Sequence, residues 1–233
     1  GPGGPFSGYA PLHVACRKGH GDLAMALVDV FDSSLVQTAP GGLSAAMCAC
    51  EAGDAGLAEW LVNEGLPADL RDEAGRTVLF YAAQAALPQF TSWLIGKQRL
   101  SASARARDGS TALASAVSSK ATGSSTVVQQ LLEAAASANK ADKAGWTPLH
   151  AACQAGDERC VRLLLGAGKA KADLVDAKGR TAADVARASS MSKATVEKLF
   201  GGHAAEGPSE TPEEAEKREL REKKTAHREE TNW

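Results

Sequence analysis

The sequence predicts an all-α fold, in which short helix-turn-helix units joined by turn or hairpin loops stack into a solenoid. Alanine fills 46 of the 233 positions, whereas aromatic residues make up only 5%. Helices packed through small side chains fit this composition, and alanine has the highest helix propensity. Glycine occurs at 23 positions, which indicates frequent turns. The sequence also contains an internal repeat, which predicts stacked units of similar structure. A β-sandwich, which is rich in β-branched and aromatic residues, is disfavoured.

One short motif recurs six times along the chain. Its clearest copy spans residues 145–157, and residues 8–20 match that copy closely. In each copy a glycine stands two residues before a position that is mostly Thr or Ser. The glycines are Gly8, Gly42, Gly75, Gly109, Gly145 and Gly179. The second position is held by Ala10, Ser44, Thr77, Thr111, Thr147 and Thr181, at spacings of 34, 33, 34, 36 and 34 residues. Such regular spacing identifies a repeat architecture.

Each repeat is expected to form a turn, a helix, a second turn and a second helix. The glycine supplies the positive φ of a tight turn. The Thr or Ser can cap a helix, and a following proline, as in Thr147-Pro148, suits the first helical residue. Glycines at positions 19, 53 and 156 end the first helix. The second helix carries an apolar pair: Leu27-Val28, Leu61-Val62, Leu94-Ile95, Leu131-Leu132, Leu164-Leu165 or Leu199-Phe200. One helix pair cannot bury its apolar face alone, so neighbours must stack.

The fourth repeat departs from this pattern. Its residues 118–125 lack the usual turn glycine, and its Leu131-Leu132 pair comes three residues late. This predicts a longer loop between the two helices of that repeat.

These residues resemble the ankyrin repeat, whose signature is Gly-x-Thr-Pro-Leu-His-x-Ala-Ala followed by Gly and a Leu-Leu pair. The first and fifth copies are the most typical, and the sixth, residues 179–186, is similar to the form common in terminal ankyrin repeats. The resemblance covers roughly residues 7–200. It implies an ankyrin-repeat solenoid of about six repeats, and we assign residues 1–203 to that domain.

The composition changes after this domain, and residues 204–233 form a charged C-terminal tail. Thr211, Pro212 and the glutamates that follow are typical of a helix start, and Glu–Lys and Glu–Arg pairs recur four residues apart. A helix over about 212–229 is therefore predicted, although it has no apolar stripe. The tail is either a solvated or disordered segment or a docking element for a partner. Trp233 is correspondingly either free or an anchor in a partner groove.

Charge and hydropathy bound the partners. The formal net charge is −2 and the pI about 6.3, so no basic excess points to nucleic acid. The longest apolar runs fall short of the roughly 20 residues that span a membrane, which argues against direct insertion. Five scattered cysteines suit an intracellular, reducing compartment, either cytoplasm or nucleus. An organelle remains an alternative if a targeting peptide has been removed, because the chain lacks an initiator Met and can be a processed form or a fragment.

No pattern in the sequence favours catalysis. His13 and His150 share one repeat position, where a histidine that bonds the neighbouring turn is expected. Cys16, Cys50 and Cys153 also share one position, which calls for a small buried side chain. No metal-ligand spacing or paired carboxylates stand out. We therefore expect no enzyme, no cofactor and no metal.

Function is then expected at the surface, through protein binding. Stacked repeats form an extended concave face from turn tips and first helices, and Tyr, Trp and Arg are enriched at interface hot spots. The candidate protein-binding residues are Tyr9, Arg17, Arg76, Tyr81, Trp146, Arg180 and Trp233. The expected function is a scaffold, an adaptor or a subunit of a larger assembly. The alternatives are an inhibitor that masks a partner's functional surface, and an ankyrin module detached from a larger enzyme or channel.

Overall fold

The computed structural model describes residues 8–29, 34–119 and 121–201. In these residues twelve α-helices form six consecutive pairs, and no β-strand occurs. The pairs are α1 (Pro11–Arg17) with α2 (Gly21–Asp29), α3 (Ala45–Glu51) with α4 (Ala55–Asn63), α5 (Val78–Gln84) with α6 (Pro88–Gly96), α7 (Ala112–Ser118) with α8 (Ser124–Glu133), α9 (Pro148–Ala155) with α10 (Glu158–Leu165), and α11 (Ala182–Ala188) with α12 (Lys193–Phe200). The predicted all-α architecture is confirmed. The tail at 204–233, with its predicted helix, lies outside the described residues.

The first helices of successive repeats pack directly against one another. Contacts join α1 to α3, α3 to α5, α5 to α7, α7 to α9 and α9 to α11. One position at each of these contacts is always alanine, five residues after the cap position, and its side chain is at most 2% exposed. These residues are Ala15, Ala49, Ala82, Ala116, Ala152 and Ala186. A larger side chain there would separate the helices, so the alanine at this position reflects the stacking distance.

A loop precedes each first helix, and we call its turn the tip of the repeat. All six repeat glycines in these tips have positive φ, as predicted. Four backbone hydrogen bonds join neighbouring tips, donated by the N–H groups of residues 73, 107, 143 and 177 to the carbonyls of residues 41, 74, 108 and 144 at 2.7–2.9 Å. A Cβ on Gly145 would lie 3.0 Å from Cα of Asp176 and 3.1 Å from the N of Ala177. Glycine therefore serves both the turn and the close approach of the next tip.

The caps of the first helices follow the prediction in part. Ser44, Thr111, Thr147 and Thr181 accept a hydrogen bond from a backbone N–H three residues later. Thr77 makes no such side-chain bond, and Ala10 has no hydroxyl. The first helices of the first and third repeats therefore begin without a side-chain cap, and only in the first repeat is the hydroxyl itself missing.

The fourth repeat has the predicted longer loop. Helix α7 ends at Ser118 and α8 begins at Ser124, whereas three residues separate α3 from α4. Helix α8 starts directly after Gly123, whose φ is 100°.

The two buried histidines differ by one hydrogen bond, because residue 10 is an alanine and has no hydroxyl. In repeat five, Nε2 of His150 donates to the carbonyl of Arg180 at 3.0 Å, which leaves Nδ1 to accept from the Thr147 hydroxyl at 2.7 Å. In repeat one, Nε2 of His13 donates to the carbonyl of Gln37 at 3.0 Å. Its buried Nδ1 has no partner among the described residues, because Ala10 replaces the threonine. Burial lowers the pKa of His13, and the bond to Gln37 opposes that shift. Both histidines bond the neighbouring loop, as predicted.

Substituting Ala10→Thr should stabilise the protein by about 1 kcal/mol, because the hydroxyl can cap α1 and donate to Nδ1 of His13. Thr147→Ala should remove the same two bonds and lower the free energy of unfolding by about 1–2 kcal/mol. Chemical denaturation of the purified chain measures both changes. Ala10→Val, which adds similar bulk without a hydroxyl, is the control. Equal effects of Thr and Val at position 10 would contradict this explanation.

Candidate functional site

The tips and the exposed sides of the first helices form one continuous surface, which we call the inner face. Two clefts open on it. The central cleft, of about 480 Å³, is lined by Arg76, Asp142 and Trp146 from the tips and by small side chains of α7 and α9. The other cleft, of about 390 Å³ and nearer the first repeat, is lined by Arg17, Glu51, Tyr81, Gln84 and Ala85. The stacking of the first helices therefore produces a grooved surface with polar and aromatic walls.

Three arginine–aromatic pairs stand along the inner face. The guanidinium carbon lies 5.5 Å from the Tyr9 ring centre for Arg17, 4.9 Å from that of Tyr81 for Arg76, and 5.7 Å from that of Trp146 for Arg180. These distances are within the range of cation–π attraction. Each arginine also forms an ion pair with a carboxylate, and each keeps about 40% of its side chain exposed.

The third tip holds Arg76 in a closed hydrogen-bond network. Oδ1 of Asp72 accepts from the Arg76 backbone N–H at 2.8 Å, and Oδ2 accepts from Nε of Arg76 and from the Tyr81 hydroxyl, both at 2.7 Å. The Tyr81 hydroxyl in turn accepts from the Arg76 guanidinium at 2.7 Å. Burial alone would raise the pKa of Asp72, but these bonds outweigh it and lower the pKa.

The sixth tip repeats this design with a different aromatic partner. Oδ1 of Asp176 accepts from the backbone N–H groups of Lys178 and Arg180, and Oδ2 accepts from Nε and Nη2 of Arg180 at 2.9 and 2.7 Å. Burial raises the pKa of Asp176, yet the hydrogen bonds from Arg180 and Lys178 outweigh it and lower the pKa to about 2. The Trp146 ring contacts Arg180 and also the ring of His150, whose centre is 5.3 Å away.

In the first repeat, the arginine–aromatic pair of Arg17 and Tyr9 also contacts the second repeat. Arg17 donates to the Tyr9 hydroxyl at 2.6 Å and forms an ion pair with Glu51 on α3 at 3.2 Å. This pair depends on two neighbouring repeats, so its position is set by the stacking.

The structure brings five of the seven predicted binding residues onto the inner face. They are Tyr9, Arg17, Arg76, Trp146 and Arg180, all at least partly exposed. Tyr81 differs from the expectation, because its side chain is buried, with only 5% exposed. It stands four residues after the cap position, between stacked helices, whereas Arg17 and Glu51 stand seven residues after it. Tyr81 therefore lies under the Arg76 guanidinium and accepts a hydrogen bond from it. Trp233 lies outside the described residues.

Sequence reasoning missed two sets of residues. The first set is the carboxylates that open three tips, Asp72, Asp142 and Asp176; the signal was an aspartate three residues before the repeat glycine. The second set is Gln84, Ser118 and Gln154, which hold in other repeats the position that Arg17 holds in the first, seven residues after the cap; this position is exposed in every repeat.

The cysteines have no environment that favours reactivity. All five are free thiols with no measurable exposure. Burial raises the pKa of Cys16, Cys48, Cys153 and Cys160 to about 12, and it also raises the pKa of Cys50. Thiols with such values are not thiolate nucleophiles near neutral pH. Cys16, Cys50 and Cys153 fill one shared repeat position as small apolar side chains, as predicted.

The residues that the structure describes contain no group of three or more His, Cys, Asp or Glu side chains placed to hold a metal ion. None of their helices has the length and hydrophobicity needed to cross a bilayer.

Comparison with known proteins agrees with this architecture. The family described as ankyrin repeats (3 copies) matches residues 46–142 and 118–207, which together span more than half of the chain. The chain belongs to the ankyrin repeat family. Ankyrin repeats mediate protein binding, so this class fits the grooved inner face.

Two similar proteins illustrate the relationship. An ankyrin repeat domain from Acinetobacter baumannii AYE superposes with a TM-score of 0.66 at 25% identity, over 84% of this chain and 98% of that domain. Glycerophosphocholine phosphodiesterase gde1 from Schizosaccharomyces pombe is 29% identical over 147 residues. That match covers 63% of this chain but only 13% of the yeast protein.

The Asp176–Arg180 pair predicts a defined pH dependence. The pKa of Asp176 is about 2 when folded and near 3.8 when unfolded, so the unfolded chain binds the proton first as pH falls. The stability that this pair contributes is present above about pH 3.8 and is lost as the pH falls toward about 2. Arg180→Gln should move the pKa of Asp176 up toward its usual value, as measured by NMR titration of the carboxyl carbon. Arg162→Gln, on α10, is the control and should leave it unchanged. An unchanged Asp176 pKa in Arg180→Gln would contradict this assignment.

Proposed function

We propose that this chain is a non-enzymatic protein-interaction module that binds its partner along the inner face, as a scaffold, an adaptor or a subunit of a larger assembly. The observation that carries the proposal is the row of three arginine–aromatic pairs. Arginine, tyrosine and tryptophan are the residue types that dominate interface hot spots. Three such pairs on one grooved surface provide several anchoring points for a single extended partner.

The carboxylates support this function by holding the arginines in place. A free arginine side chain loses rotamer freedom when it binds, which costs free energy. Arg76 and Arg180 are already fixed by two hydrogen bonds each from the side chain to Asp72, Tyr81 or Asp176. Their remaining N–H groups can donate to a partner at a smaller entropic cost. The inner face is thus preorganised for binding.

A second function, a module within a larger enzyme, has one specific observation in its favour. The similarity to glycerophosphocholine phosphodiesterase gde1 covers a small part of that protein. In that case the inner face would bind another part of the same polypeptide or a regulator of it. The proposed compartment is reducing in either case, because all five thiols are free.

The test compares the inner face with the opposite side of the stack. The tagged chain is used to isolate partners from its source, and recovery of each partner is quantified for variants. Arg17→Ala combined with Arg180→Ala should reduce recovery at least tenfold, because two of the three pairs are lost.

Arg162→Ala is the matched control, since Arg162 forms a comparable ion pair with Glu158 at 2.7 Å on α10, away from the inner face. It should leave recovery unchanged. Equal losses in the two variants, or no loss in the double variant, would exclude the inner face as the binding surface.

A further inference from the structure

The fifth tip breaks the pattern that the third and sixth tips share. In all three tips the opening aspartate accepts, through Oδ1, the backbone N–H of the residue four positions later. These bonds measure 2.8 Å at Asp72, 2.8 Å at Asp142 and 3.0 Å at Asp176. The backbone geometry is therefore the same in the three tips, and the difference lies in the side chains around the second oxygen.

The second carboxylate oxygen is paired with an arginine in the third and sixth tips, whereas in the fifth tip it has no such partner among the described residues. Oδ2 of Asp72 and of Asp176 is bound by the arginine four positions later. After Asp142 that position is Trp146, which cannot supply a cation. The hydroxyl that Tyr81 gives to Asp72 is also missing, because the equivalent residue of the fifth repeat is Ala151. Within the described part of the chain, Oδ2 of Asp142 has no partner in a hydrogen bond or an ion pair.

Trp146 and Ala151, which stand where the third repeat has arginine and tyrosine, also leave space beside Oδ2 of Asp142. Asp142, Trp146 and Ala151 line the central cleft of about 480 Å³. On the other wall, Ser115 stands where the third repeat has Tyr81, so no ring fills the cleft from that side. Arg76 also lines it, but its charge is already paired with Asp72. Asp142 is consequently the one lining charge that no ion pair in the described residues offsets.

We propose that the central cleft binds an arginine side chain of the partner protein, whose guanidinium pairs with Oδ2 of Asp142. The partner would supply in trans the group that Arg76 and Arg180 supply within their own tips. A guanidinium matches this site because its planar fork can donate to the carboxylate and to an adjacent acceptor together. Acceptors are present in the same cleft, because the hydroxyl oxygens of Ser110 and Ser115 also line it. This inference rests on the proposed function, since it requires a protein segment on the inner face.

The test begins with selection of peptides from a random 12-residue display library on the full chain. Selected peptides that no longer bind the double variant Arg17→Ala, Arg180→Ala are those that bind the inner face. We expect these peptides to share an arginine. Replacing that arginine by citrulline, which keeps the shape and loses the charge, should weaken binding at least tenfold. Lysine should weaken it at least threefold, because it lacks the planar fork.

Asp142→Asn is the matching change in the protein. The asparagine oxygen can still accept the N–H groups of Ala144 and Trp146, so the tip keeps its backbone geometry. This variant should also weaken binding at least tenfold, and it should add little to the loss caused by citrulline, as expected for two groups that act on each other. Asp173→Asn, at an exposed position that does not line the cleft, is the control.

The outcomes separate the two proposals. Peptides that bind the inner face but are indifferent to Asp142→Asn, or to citrulline or lysine in place of arginine, would overturn the arginine site and leave the proposed function standing. A chain that selects no inner-face peptide would overturn both.

Discussion

The structure depends on the distance at which neighbouring repeats can approach. Alanine occupies the same buried position in all six first helices, and four backbone hydrogen bonds join successive tips. Both features require close contact, since a larger side chain at either place would meet backbone atoms or the next helix. Gly145 shows this directly, because its missing Cβ would lie 3.0 Å from the Cα of Asp176. Repeat proteins depend on such interfaces because each unit contacts only its neighbours.

The functional surface is a consequence of this spacing. Once the tips are aligned, one residue of each tip stands in a row along the inner face, and its chemistry can change without disturbing the stack. Asp72 and Asp176 hold Arg76 and Arg180 at fixed positions, whereas Asp142 retains the backbone bonds and has tryptophan nearby instead. The tip backbone is therefore constant, and the side chains around each aspartate determine what each tip can bind.

The sequence was sufficient to predict the repeats because spacing and residue type are local signals. The six glycines, the helix pairs and the long loop of the fourth repeat are all found where the spacing places them. The failures concern side chains whose neighbours lie in other parts of the repeat. Tyr81 was expected at the surface, but its hydroxyl is held by Asp72, nine residues earlier, and Arg76 covers its ring. The backbone hydrogen bonds of the tip aspartates are different, because they reach only two to four residues along the chain and had a local signal, the aspartate three residues before the repeat glycine.

The most direct test of the spacing argument is to enlarge one of the six alanines. Ala82→Leu, in α5, should lower the free energy of unfolding by about 1–3 kcal/mol, because the added volume separates packed helices. Ala188→Leu, at an exposed position of α11, should change it by less than about 0.5 kcal/mol. Amide hydrogen exchange measured on both variants locates the effect. We expect protection to fall together in α3, α5 and α7 for Ala82→Leu, because α5 packs against both neighbouring first helices. A loss confined to α5, or no larger than that of Ala188→Leu, would contradict it.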